Sequence, residues 1–254
     1  TLADADGTDP RQVSVTTFPV SERNGLFWIY MGKRPDLSPP PPMLAASGRT
    51  RCRVVVSVSV KAGFDLAVLS LIDPAHVGFV HNAWWWSPAA AAKEKVKDFV
   101  PLDFGFRMTA HTAATNSLGY RLLGRPRTEV DFLLPGQRIE RIGMGSRFVV
   151  NATFATPVDE QTTVFTNVLV SDLRRVAVLS WLVRRLAKAF LNQDQSILEL
   201  AQSGLERKPT MLLLGQSDRL AQWYFRLKRD YLAAHRRGIP FRNALRSERL
   251  RWRT

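Results

Sequence analysis

Apolar and polar positions follow two different periods along this chain, and the change between them divides it. Arg51 to Lys61 (RCRVVVSVSVK) is a β-branched run with partial alternation, the pattern of a strand with one buried face. Phe64 to Ile72 reads as a helix. Strand-like segments then recur at Lys97–Pro101, Phe106–Thr112, Thr128–Leu134, Gln137–Ile142, Phe148–Pro157 and Thr162–Val170. Leu134-Pro-Gly-Gln137 and Pro157-Val-Asp-Glu160 supply turn chemistry between them. Consecutive strands joined by short turns predict an antiparallel meander, and a curved meander makes a hollow that can hold a ligand.

From Leu173 the period becomes helical. A helix is expected from Leu173 to Gly204, with Asp172 complementing its N-terminal end and Gly204 ending it. Ser217 to Arg236 reads as a second helix with Ser217 as its cap. The Arg-rich tail after Gly238 is expected to fray. Toward the start, Gly25 to Met31 (GLFWIYM) reads as a buried strand, and the four prolines Pro39 to Pro42 as a stiff linker marking a boundary. The fold class is therefore α+β: an antiparallel sheet followed by long C-terminal helices.

A chain of 254 residues buries one sizeable core, or one core and an appendage. The single cysteine, Cys52, excludes an internal disulfide and fits a reducing, cytoplasmic setting. It also excludes an iron–sulfur cluster held by this sequence alone, since even mixed His/Cys ligation needs two thiolates. No apolar run reaches the ~18 residues of a spanning helix, and the polar, acidic first ten residues are not a secretory signal. The net charge of +14 is concentrated after Arg174. No nucleic-acid module or basic–aromatic stripe accompanies it, so an acidic redox partner or a membrane surface is preferred over nucleic acid. Membrane docking would run through Leu173–Phe190; the simpler reading packs that helix on the sheet with its arginines in solvent.

The candidate chemistry lies in Asp73-Pro-Ala-His76-Val-Gly-Phe-Val-His81, which holds two of only four histidines. Two imidazoles and a carboxylate suit a divalent first-row metal, and with open positions they form the ligand set of non-haem Fe(II) oxygenases. Residues i and i+5 of a regular helix lie about 140° apart, so both rings reach one ion only where the helix bends or ends between them. Pro74 and Gly78 make such an irregularity available. A remote acid would complete the site. Asp194 has apolar neighbours three and four residues away (Phe190, Leu191, Ile197, Leu198), which places it near a buried stripe. There it needs a partner, either a metal or one of the many Arg and Lys residues. Trp84, Trp85 and Trp86 are either core packing or the wall of an apolar substrate cavity. His111, in a predicted strand, is either a buried structural residue or part of that lining.

These pieces resemble the catalytic α-subunits of Rieske non-haem iron oxygenases, in the branch of pheophorbide a oxygenase and vanillate demethylase. Four features carry the resemblance in order: Glu22-Arg-Asn-Gly-Leu-Phe-Trp-Ile-Tyr-Met-Gly32, Asp73-x-x-His76-x4-His81, the Trp84–Trp86 cluster, and Asn192-Gln-Asp-Gln195. The resemblance implies a helix-grip (START/Bet v1-like) fold. It implies His76, His81 and Asp194 as Fe(II) ligands, and Asp73 as a residue that hydrogen-bonds a ligand histidine and connects the iron to an electron path. It further implies O2 and an apolar or aromatic substrate, electrons from a [2Fe–2S] cluster by way of a ferredoxin or reductase, and a homotrimer for the full-length protein. The sequence departs from the family pattern at Leu69, where the family often has Asn, and in lacking the Rieske C-x-H and C-x-x-H pairs. The expected organisation is a remnant of a Rieske domain plus linker at 1–42, a mononuclear-iron domain at 43–238 and a basic tail at 239–254. The alternative is a non-catalytic helix-grip module that binds an apolar ligand over a degenerate metal site.

Overall fold

The computed structural model describes residues 16–32, 34–44, 50–81, 94–112, 124, 126–205, 207 and 211–253. The predicted cavity tryptophans Trp84, Trp85 and Trp86 lie outside the described residues. The chain forms two compact units, Thr1–Met43 and Leu44–Thr254.

In the first unit, strands β1 (Val20–Arg23) and β2 (Leu26–Ile29) make an antiparallel hairpin. Asn24 and Gly25 turn it with φ of 58° and 66°, the left-handed pair that matches strand twist. The buried strand expected at Gly25–Met31 is thus half of a two-stranded ribbon. Phe27 is 75% exposed, and Ile29 and Met31 are exposed as well. Two strands offer no second layer to cover an apolar face.

The second unit is built on an eight-stranded antiparallel sheet. Its strands are β3 (Cys52–Val60), β4 (Glu94–Leu102), β5 (Gly105–Thr112), β6 (Arg127–Leu133), β7 (Gln137–Met144), β8 (Arg147–Pro157), β9 (Thr163–Ser171) and β10 (Glu248–Arg253), in the order β10-β4-β5-β6-β7-β8-β9-β3. The strands from β4 to β9 neighbour each other in chain order, with short turns at every step except β5 to β6. On β3, Cys52, Val54, Val56, Val58 and Val60 all face inward, so the alternation of the sequence is the alternation of burial. Cys52 is a buried free thiol in this row. Gly105 has no room for a side chain: a Cβ there would lie 1.9 Å from the Phe132 carbonyl oxygen.

Among the described residues five helices complete the unit: α1 (Phe64–Ile72), α2 (Val77–Val80), α3 (Arg174–Val178), α4 (Ser180–Leu205) and α5 (Arg219–Arg237). The inner face of the sheet, through Phe99, Phe106, Met108, Val130 and Phe132, shares one core with α1, with Leu191 and Leu198 of α4, and with Leu220, Trp223, Tyr224 and Leu227 of α5. Among the described residues no helix is long and apolar enough to cross a membrane. Arg184 of α4 donates to the Val55 carbonyl at 2.7 Å and so lies against the sheet, while Val178 and Trp181 are exposed.

Four details differ from the sequence reading. The helix expected to run unbroken from Leu173 is interrupted at Leu179. Asp172 does not cap it, because its carboxylate accepts the Phe148 amide at 2.8 Å across the sheet, and Ser171 Oγ takes the Leu173 amide instead. The cap expected of Ser217 is absent too: α5 starts two residues later, and Asp218 accepts the Leu214 amide. Finally, the tail after Gly238 does not fray. It returns as edge strand β10 beside β4, with Leu250 and Trp252 buried. The positive φ of Gly238 ends α5 and turns the chain back, and the Leu250/Trp252 alternation supplies a face worth burying.

Candidate metal centre

The irregularity that the His76–His81 spacing demands is the end of a one-turn helix at His81, and a break from α1 precedes that turn. α1 stops at Ile72, and Asp73, ahead of Pro74, is extended with ψ of 110°. His76 then opens the four-residue helix α2, and His81 closes it with φ −92° and ψ 89°. The two histidines therefore bracket one turn of helix rather than sharing its face. Their ring centroids are 5.5 Å apart at 69°.

The acid arrives from the other side of the core. Asp194 lies on the buried stripe of α4 between Leu191 and Leu198. Its Oδ1 is 3.3 Å from His81 Nε2 and 3.7 Å from His76 Nε2. Phe190, one turn earlier, stacks on the His81 ring with centroids 3.5 Å apart. One ligand atom from each of the three residues can be chosen so that all lie within 4.8 Å of one another. Donor atoms about 2.0–2.2 Å from a shared ion lie about 3–4 Å apart, as Asp194 Oδ1 does from each Nε2.

Hydrogen bonds decide which nitrogens are available. His81 Nδ1 lies 3.0 Å from Gln193 Oε1. An amide oxygen can only accept, so Nδ1 carries the proton and Nε2 presents a lone pair. That Nε2 is buried and has no hydrogen-bond partner among the described residues. His76 Nδ1 donates to the Asp73 carbonyl oxygen, which frees its Nε2 in the same way. Asp73 thus holds His76 through its backbone, while its carboxylate accepts the Ala75 amide at 2.7 Å.

The charges fit a cation. Burial pushes both imidazoles down to about 4, so neither is charged at neutral pH, and it pushes Asp194 up to about 7. The short Asp194–His distances are therefore not ion pairs. Among the described residues no Lys or Arg comes within ion-pair distance of Asp194. Arg138, whose charge eases the burial of Asp194, is itself engaged by Glu140 at 3.3 Å. Two neutral donors aimed at one hard-to-ionise carboxylate leave a place that a divalent metal fills in charge and in geometry.

A cavity of about 410 Å³ opens beside His76. Leu71, Ile72, Met108, Val130 and Phe132 line its apolar part. His111 lines it too, next to an irregularity in the β5–β6 register between Met108 and His111, with Nδ1 held by the Thr109 carbonyl. The lining is not wholly apolar, however: Lys95, Lys97, Thr128, Arg138 and Glu140 also face it. The polar positions of β6 and β7 alternate in phase with inward Val130 and Phe132, a signal that sequence reading passed over. Gln193 carried no such signal, since its partner lies 112 residues away.

Residues 60–237 match the family model described as the vanillate O-demethylase oxygenase C-terminal domain. No curated protein matches the chain by sequence. Among solved structures, NdmA of Pseudomonas putida CBB5 with caffeine is 18% identical with a TM-score of 0.73, over 91% of this chain and 67% of that one. The NdmA QL mutant with theobromine is 19% identical at 0.70, over 91% and 66%. Dicamba monooxygenase bound to dicamba is 17% identical at 0.69, over 93% and 74%. The likeness is one of fold, and the chain spans about two thirds of the length of NdmA.

Proposed function

The chain belongs to the vanillate O-demethylase oxygenase C-terminal domain family and has the catalytic-domain fold of Rieske oxygenases, and on that premise we propose that it is the O2-dependent catalytic half of such an enzyme, oxidising an apolar or aromatic molecule at a mononuclear Fe(II). The reading is carried by one observation: three donor residues from two distant segments converge, and the Nε2 of fully buried His81 has no partner among the described residues.

His76, His81 and Asp194 would hold the ion. When bound, it supplies dioxygen activation. The chain supplies everything around it. Gln193 and the Asp73 carbonyl hold the two imidazoles in one tautomer, so that both Nε2 lone pairs point at Asp194. Phe190 fixes the plane of His81. Leu71, Ile72, Val130 and Phe132 shape the cavity beside His76 and keep bulk water from the substrate's reacting carbon. Electrons would come from a [2Fe–2S] centre on another stretch of polypeptide, because one cysteine cannot hold it. Asp73, at the junction of α1 and α2, is the residue we assign to that electron path. A ferredoxin or reductase and a trimeric assembly belong to the same proposal, as does a reducing, cytoplasmic setting. The non-catalytic module is the weaker reading, because all three ligand residues are present and mutually oriented.

Anaerobic loading with Fe(II), followed by metal analysis, tests the assignment. About one iron per chain is expected, with loss of iron in both His81→Ala and Asp194→Ala. Iron retained in both variants would sink it.

A further inference from the structure

The helices α3 and α4 carry more apolar surface than the core uses. Val176, Ala177, Val183 and Ala187 pack against the core and make up their inner side. On the other side Val178 is 76% exposed and Trp181 60%, with Leu179 and Leu182 exposed beside them. A helix that only covers a sheet turns its polar side chains to water. Here Arg184 is tied to the Val55 carbonyl of the end strand β3, while an indole stands outward. A contiguous apolar patch of this kind marks a surface that something else covers.

The charges around the patch say what covers it. Arg174 and Arg175 precede it and Arg185 and Lys188 follow it, all four exposed. Residues 173–193 contain no Asp or Glu. None of the four cations is in an ion pair among the described residues. The carboxylate just before them, Asp172, is buried and holds the Phe148 amide. Arg174, Val178, Trp181, Arg185 and Lys188 recur at steps of four and three, which places them on one side of a helical path about 20 Å long. Backbone bonds from Leu179 to the Arg175 carbonyl at 3.0 Å and from Val183 to the Leu179 carbonyl at 2.9 Å carry that path through the interruption. A tryptophan-centred apolar island between unpaired cations is the arrangement with which a helix lies in a headgroup layer, its apolar side chains at the acyl boundary and its cations on phosphates.

We infer that the α3–α4 face is a membrane-docking surface whose occupant is a bilayer leaflet bearing anionic headgroups. Val178, Trp181 and Leu182 enter the boundary between headgroups and acyl chains, and Arg174, Arg175, Arg185 and Lys188 pair with lipid phosphates. Such peripheral contact needs no spanning helix. The inference uses none of the residues assigned to the metal or to the cavity, so it stands or falls apart from the oxygenase reading.

Co-sedimentation of the full chain with vesicles tests it, using mixed phosphatidylglycerol and phosphatidylcholine against phosphatidylcholine alone. Binding to the mixed vesicles is expected to be about tenfold or more tighter, and to weaken as salt is added. The whole chain carries a charge of +14, so variants must separate a docking face from general attraction. Arg185→Gln/Lys188→Gln should weaken binding about tenfold or more. Arg236→Gln/Arg237→Gln removes the same charge from exposed positions at the end of α5 and should weaken it about twofold or less. Trp181→Ser leaves every charge in place and should weaken it about fivefold or more, whereas Trp181→Phe should retain it. Lipid brominated in the acyl chain should quench a part of the tryptophan emission that Trp181→Phe lacks. Unchanged thermal midpoints, expected for exposed positions, show that the variants are folded. No preference for the mixed vesicles, or equal loss in the two charge-neutralised pairs, overturns the proposal. So does undiminished binding by Trp181→Ser, which would leave a merely charged face fit for an acidic protein. Self-association of the parent protein that Trp181→Ser abolishes in light scattering also overturns it, since the face would then be a contact between copies.

Discussion

At the residue scale, the centre depends on groups that are costly unless a cation is present. Asp194 is a carboxylate between two uncharged imidazoles, so replacing it with Asn removes a buried charge together with the proposed ligand. In the metal-free protein at pH 8, Asp194→Asn is expected to keep or raise the thermal midpoint, while the rise that Zn(II) gives the parent protein disappears. Thermal scans with and without metal check this, and a midpoint lowered by several degrees without metal would mean that the carboxylate serves as a structural partner. Gln193 is tested separately. Leucine there leaves the buried His81 Nδ1–H without an acceptor and frees the ring to change tautomer, so metal affinity should fall about 10- to 100-fold. Glu at the same place should restore it, and chelator competition reads both. Asp194 was legible in the sequence because apolar residues at three and four positions mark the stripe on which it lies. The pairing of Gln193 with His81 was not, because the two lie 112 residues apart.

At the element scale, local pattern located most elements and tertiary context set their ends. α1 spans the residues that its apolar run marks, and Pro74 ends it where the backbone of Asp73 must extend. β10 is the counter-example. Six residues carrying four charged side chains, all but one of them arginine, read as a solvated tail, yet β4 supplies a hydrogen-bonding edge and Phe99 an apolar neighbour for Trp252. Trp252→Ala is therefore expected to destabilise the fold by about 3–5 kcal/mol, measured by urea unfolding, whereas substitution of exposed Arg253 should change it by less than about 0.5 kcal/mol. A Trp252→Ala cost below about 1 kcal/mol would return the segment to the status of a tail. The same strand carries Trp252 into the lining of the cavity beside His76, so an element that reads as dispensable helps to build its wall.

At the scale of the whole molecule, the candidate ligands come from the two ends of α2 and from α4, more than a hundred residues apart, and the unfolded chain cannot hold them together. Metal binding is then also folding energy: at a free metal concentration of a hundred times the dissociation constant, the stability of the fold should rise by about 2.7 kcal/mol. Chemical unfolding with and without Zn(II) measures it, and an unchanged midpoint would mean that the three donors do not act as one site. What the amino-acid order determined unaided was whatever depends on near neighbours: the alternation that makes strands, the apolar run that makes α1, the change of period at Leu173, and the histidine spacing that requires a break. These are properties of a few consecutive residues and their backbone preferences. Only the folded chain decided that β10 pairs with β4, that Gln193 orients His81, and that Asp194 meets the two histidines. Each of those brings together groups whose separation along the chain leaves no periodic trace, because their energies arise only once the sheet and α4 have enclosed them.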